Sequence, residues 1–119
     1  MLADITAVKN IYIVCGYTDM RKQIDGLAAL VQEQYELDPF DPSLFLFCGR
    51  RSDRIKGLLW EGDGFLLLYK RLAGNNRFKW PRHPEEVRAI TRQEFKWLME
   101  GLSIIQKDAI KPAGPGSFC

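Results

Sequence analysis

Histidine is almost absent from this 119-residue chain, cysteine is scarce, and no long apolar run occurs. The single histidine, His83, stands between Arg82 and Pro84 in a stretch that reads as a surface loop, with no nucleophile near it in sequence. Three cysteines (Cys15, Cys48, Cys119) are odd in number and form no Cys-x-x-Cys pair, so neither a zinc site nor a disulfide framework is expected. Cys15 and Cys48 lie in apolar runs, where a buried free thiol is the ordinary outcome. Gly-x-Ser-x-Gly, phosphate-loop and dinucleotide fingerprints are missing as well. No segment has the apolar length needed to cross a bilayer, and Met1-Leu2-Ala3-Asp4 lacks the regions of a signal peptide. The expected location is the cytoplasm, away from membranes.

What is present suits one ordinary domain. With 46% hydrophobic and 12% aromatic residues the chain can bury a core without staples. The net charge of +2 conceals an asymmetry: residues 1–44 hold three bases and seven acids, and residues 83–119 hold five of each. Residues 45–82 hold nine bases against only Asp53, Glu61 and Asp63. A basic middle is a candidate polyanion footprint, although bases that merely solvate a sheet face would give the same count.

Hydrophobic periodicity predicts the elements. Ile11–Cys15 reads as a buried strand closed by Gly16, and Thr18 can cap a helix carrying Met20, Ile24, Leu27 and Val31 on one stripe. Asp38-Pro39-Phe40-Asp41-Pro42 ends that helix. Leu44–Phe47 is apolar throughout and strand-length, and a basic turn, 49–53, follows it. Arg54–Glu61 and Phe65–Leu72 form a hairpin through Gly62-Asp63-Gly64. Arg77–Trp80 alternates charge with aromatic and reads as a further strand, stopped by Pro81. Thr91-x-x-Glu94 is a capping box opening a last helix with the stripe Phe95, Leu98, Met99 and Leu102. The expectation is one α+β domain over residues 1–105: a mostly antiparallel meander of about five strands with two helices, in the order β-α-β-β-β-β-α. Residues 106–119 are expected to form a flexible tail.

Two places could carry chemistry. Arg21 and Lys22 fall in the expected first helical turn, where cations oppose the dipole but could share an oxyanion with free backbone N–H groups. Pairing of Arg21 with Asp25 is the structural alternative. In the hairpin, a Gly62-Asp63 turn sets Arg54 against Arg71, and an Asp63-Gly64 turn sets Lys56 against Arg71. Either register opposes two bases, which is unfavourable unless they splay into water or share an anion. Arg50 and Arg51 lie at the same end. Trp60, Tyr69, Phe78 and Trp80 interleave with these bases, as on sheets that stack nucleobases, though strand-spaced aromatics are more often core. Each candidate catalytic carboxylate, namely Asp19, Asp25, Asp53, Glu61 and Asp63, has an adequate structural reading, so no catalytic residue, metal or cofactor is expected.

Several ordered motifs resemble one family. They are Thr18-Asp19-Met20-Arg21-Lys22 with Ile24-Asp25-Gly26-Leu27, Leu46-Phe47 before Arg50-Arg51-Ser52-Asp53-Arg54-Ile55-Lys56, Trp60-Glu61-Gly62-Asp63-Gly64-Phe65, Tyr69-Lys70-Arg71-Leu72, Arg77-Phe78-Lys79-Trp80-Pro81, and Trp97 through Leu102. Across residues 8–105 the chain resembles the short Orf2-like accessory proteins (TnpB) of insertion sequence sixty-six type transposable elements. Gln23 stands where the family favours Gly, and Cys48-Gly49 where basic or polar residues are usual. The resemblance implies a small, non-enzymatic bacterial protein that assists a separate transposase and carries no catalytic residues of its own. Two partners follow as expectations. One is DNA at the element ends, contacted through phosphates by Arg21, Lys22, Arg50, Arg51, Arg54, Lys56, Lys70 and Arg71. The alternative is the transposase itself, docked without DNA contact, with Trp97 beside the apolar stripe of the last helix as the anchor.

Overall fold

A computed structural model describes residues 5–105; the tail expected over 106–119 lies outside the described residues. A 3₁₀ turn, Ile5–Ala7, precedes strand β1, Ile11–Val14. Helix α1, Ile24–Ala29, runs into one π-helical stretch, Leu30–Gln34. Strands β2 (Leu44–Cys48), β3 (Arg54–Trp60), β4 (Phe65–Arg71) and β5 (Val87–Ile90) follow, and helix α2, Arg92–Met99, closes the order. The strands form one sheet in the order β4-β3-β2-β1-β5. β1 and β2 run parallel across the α1 crossover, and every other pairing is antiparallel. The β-α-β-β-β-β-α order therefore holds. The meander is confined to β2-β3-β4, because β5 crosses back to pair with β1.

The sheet buries both faces. Leu58, Phe45, Phe47 and Val14 meet Leu27 and Val31 of the α1 segment on one side. Ile13, Leu44, Leu46, Ile55 and Leu59 meet Leu98, Phe78 and Trp80 on the other. This two-sided burial is why β2 is apolar at all five positions rather than alternating. Cys15 and Cys48 are buried free thiols. Burial raises both thiol pKa values, that of Cys48 to about 11. Among the described residues no helix is long and apolar enough to cross a membrane.

Two local expectations are corrected. Arg77–Trp80 is not a strand; the fifth strand is Val87–Ile90. The alternation is real, since Phe78 and Trp80 are buried and Arg77 and Lys79 exposed, but the segment is an extended arm lacking a ladder. Phe78 N–H donates to Ser52 O at 2.7 Å, and the Trp80 indole donates to Val14 O at 2.9 Å. Alternation reports which side chains are buried, and a packed arm satisfies it as well as a strand does. Thr18, moreover, caps no helix. α1 begins at Ile24 after Gln23, which makes no side-chain cap, and Thr18 is buried with its N–H on Cys48 O at 2.8 Å. The capping box of α2 is as expected, with Thr91 and Glu94 exchanging 3.0 Å bonds.

Candidate nucleic-acid interface

The loop leaving β1 and the loop joining β2 to β3 meet at one end of the sheet. Gly16 adopts φ +88°, and a Cβ there would lie 3.2 Å from Glu85 Cγ. Gly49 brings the loops together, since a Cβ on it would stand 2.8 Å from Met20 Cγ. Arg82, from the extended arm, clasps both loops. Its guanidinium donates to Gly16 O at 2.6 Å, Gly49 O at 2.9 Å and Arg50 O at 3.2 Å, and also to Ser52 Oγ. Five planar donors on one fork suit this task, which a lysine could not perform.

The clasp leaves an open cleft of about 410 Å³ lined by Tyr17, Thr18, Asp19, Met20, Gly49, Arg50, Arg51, Asp53 and Arg54. Arg50 Cζ stands 4.5 Å from the Tyr17 ring centroid, and its Nη2 donates to the Tyr17 hydroxyl at 2.8 Å. Arg54 forks onto Asp53 at 3.0 and 3.2 Å. Arg21 forks onto Asp19, with Nε–Oδ1 at 3.0 Å and Nη2–Oδ2 at 2.8 Å, rather than onto Asp25. Hydrogen bonds from these arginines hold the carboxyls of Asp19 and Asp53 below the usual range, so both stay ionised in mild acid. Each fork offsets one cation, and the surplus positive charge rests on Arg50, Arg51, Lys22 and Arg71.

The hairpin register decides which other bases join them. Arg54 faces Arg71 and Trp60 faces Phe65, which is the Gly62-Asp63 turn, with Gly62 at φ +89°. Arg54, Lys56, Tyr69 and Arg71 thus share the α1 face, together with Lys22 from the loop before α1. Lys56 is only 4% exposed; its ammonium donates to Lys22 O at 2.7 Å and sits 5.6 Å from the Tyr69 ring centroid. It supports the loop carrying Lys22 instead of facing solvent. Lys70 pairs with Ile55, whose side chain belongs to the opposite core, and so projects from the other face. Arg21, Lys22, Arg50, Arg51, Arg54 and Arg71 are therefore brought to one end, and Lys56 and Lys70 are not part of that surface. With Arg21 and Lys22 lying before α1, the expected helix-start anion site does not form.

Two residues of this end carry no local sequence signal. Tyr17, 56% exposed, simply follows a strand-ending glycine. Arg82 is one base among the nine of residues 45–82. The partners of both lie about thirty or more residues away in sequence, as for Arg50 and Tyr17. At the far end of β3, Trp60, Phe65 and the 51% exposed Phe40 pack with ring centroids 4.9–5.2 Å apart. Phe40 and Trp60 border a groove of about 550 Å³ that also includes Val8, Pro42 and Leu59. Trp97 is half-buried on α2. Among the described residues no three His, Cys, Asp or Glu side chains gather as a metal ion requires.

A family model for IS66 Orf2-like proteins matches residues 9–109. "Uncharacterized protein y4hO" of Sinorhizobium fredii is 37% identical over 93 residues, covering 78% of this chain and 80% of that protein. "Uncharacterized protein y4jC" of the same organism is 32% identical over 93 residues, covering 78% of this chain and 79% of its own length. No solved structure matches. The chain belongs to the IS66 Orf2-like family of insertion-sequence proteins.

Proposed function

We propose that this chain assists transposition of its element without catalysing a step, by holding DNA at the element ends through backbone phosphates. The observation that carries the reading is the gathering of Arg50, Arg51 and Arg71 at one end of the sheet, around an Arg54 that Asp53 already offsets. Like charges held close together are disfavoured unless they splay into water or share an anion. Arg21 and Lys22 extend the surface, and the basic segment 45–82 supplies most of it. Phosphate contacts would give affinity and orientation with little sequence preference.

The test is a shift assay with element-end DNA across a salt series. Affinity should fall steeply with salt, and each lost phosphate contact should flatten the log–log slope by about 0.9. Absence of binding at low salt, or no change when Arg50, Arg51 and Arg54 all become Ala, overturns the proposal.

A second reading, docking of the transposase, draws support from the Phe40–Trp60–Phe65 cluster, in which the exposed Phe40 packs on two half-buried rings beside an apolar groove. Trp97, half-buried on α2, is the other candidate anchor. Pull-down with the transposase, using Phe40→Ala and Trp97→Ala separately, tests it: an undiminished complex in both removes the support.

A further inference from the structure

A surface that only grips phosphates needs cations and N–H donors. The cleft beside Arg50 holds two things more. Its wall carries an aromatic ring held by one guanidinium, that of Arg50, whose Cζ stands 4.5 Å from the centroid and whose Nη2 donates to the hydroxyl at 2.8 Å. A lone exposed tyrosine needs no explanation, but Tyr17 is 56% exposed while held in one orientation at the mouth of a cleft. The second feature is Thr18, which also lines the cleft. It is 5% exposed, and its Oγ1 is buried with no hydrogen-bond partner among the described residues. A buried hydroxyl without a partner is rare in folded proteins because the lost bond to water goes uncompensated. Oγ1 presents almost no surface to solvent, so a ligand atom in the cleft would compensate it by drawing the hydroxyl round toward the cleft.

Resting on the phosphate-binding reading above, we propose that this cleft receives one unpaired nucleotide of a DNA strand. The base stacks on the platform made by Tyr17 and the Arg50 guanidinium. The Thr18 hydroxyl turns to meet a polar atom of the nucleotide, and Arg51 holds its phosphate. A volume of about 410 Å³ accommodates one such unit, and it is too small for a base pair with its two backbones. Within a duplex the base faces are covered by their neighbours, so a stacking platform recognises an end, a gap or a single strand. Ring and guanidinium planes accept any base, which makes the site selective for unpaired structure and not for sequence.

The experiment measures binding of the full chain to three labelled probes by fluorescence anisotropy at low salt. These are a blunt 20-base-pair duplex, the same duplex with a four-nucleotide overhang, and the isolated strand. Thymidine monophosphate serves as competitor. The overhang and the strand should bind roughly ten-fold more tightly than the blunt duplex, the scale of one stacked base. Tyr17→Ala should remove that preference, read as the ratio of overhang to blunt-duplex affinity, while Tyr17→Phe retains it. Tyr17→Leu, which preserves apolar bulk, should behave as Tyr17→Ala, guarding against a folding defect. Thr18→Val should weaken overhang binding without lowering the melting temperature, since it removes an unpaired buried hydroxyl. Equal, salt-sensitive binding of blunt and overhang probes overturns this proposal and leaves phosphate binding standing. Failure to bind any probe overturns both. Competition by the mononucleotide as effective as by the strand would make this a free-nucleotide site and overturn the strand assignment.

Discussion

Arg82 joins three segments distant in sequence, and its loss removes several bonds at once. Charge-assisted hydrogen bonds contribute about 1.5–3 kcal/mol each when a partner is stranded, with diminishing sums in one network. Arg82→Ala should therefore lower unfolding stability by about 2–4 kcal/mol, read as a reduced urea midpoint. Arg82→Lys should recover little of it, because an ammonium cannot span Gly16 O and Gly49 O together. Cys48 makes a second case. Its thiol is pushed by burial from an ordinary 9.0 to about 11, so the folded state keeps a proton that the unfolded chain releases first. The stabilisation is full below pH 9.0 and drains as pH rises toward 11. Cys48→Ala should show a shallower loss of stability over that window. In a Cys119→Ser background, folded protein at pH 8 should resist thiol reagents that modify Cys15 and Cys48 after unfolding. The burial of these cysteines could be read from their apolar neighbours. Arg82 and Tyr17 could not, because their roles exist only once loops from β1 and β2 are side by side.

Among elements, the β3–β4 hairpin has the most exact sequence signal, and its glycines differ in duty. Gly62 sits at φ +89° with open space around it, so a methyl group meets no clash but the backbone is strained. Gly62→Ala should cost about 1 kcal/mol, and Gly62→Asn less, because asparagine tolerates that conformation. Gly64, likewise open but without positive φ, should accept Ala with little effect; thermal unfolding of the three variants separates these outcomes. Strands β1 to β4 were legible because apolar runs of strand length were bounded by glycine or proline. β5 escaped because Val87-Arg88-Ala89-Ile90 is short and modestly apolar, and its status rests on pairing with β1. The opposite error, a strand at 77–80, arose because an arm laid across a core buries alternate residues as a strand would. The start of α1 was misplaced for a related reason. Thr18-Asp19 has the composition of a cap, but tertiary packing recruited Thr18 inward and began the helix six residues later.

At the scale of the molecule, the two candidate surfaces occupy opposite ends of β3, Arg54 at one and Trp60 at the other, about 20 Å apart at the usual strand rise. Sites so far apart with no shared contacts behave nearly independently. Arg50→Ala with Arg51→Ala should reduce DNA binding by roughly ten-fold or more at moderate salt and spare any transposase complex. Phe40→Ala should do the reverse, with DNA shift and pull-down measured on the same preparations. The clustering of bases at one end was partly legible from the charge of residues 45–82, whereas the exclusion of Lys56 and Lys70 required the sheet register.

The pairing of β1 with β5 bears on the order in which the chain can acquire its shape. Ile11 lies against Ile90, partners roughly 80 residues apart, and contacts of such separation slow folding because a large loop must close first. On the ribosome, β2, β3 and β4 emerge as neighbours and can pair early. Strand β1, although first made, keeps one edge open until nearly the whole domain has been synthesised. That edge is Ile-Tyr-Ile-Val, a segment prone to pair with other chains. A nascent or truncated product ending before Val87 is thus the species most exposed to aggregation, and translation speed through the second half of the message becomes a determinant of yield.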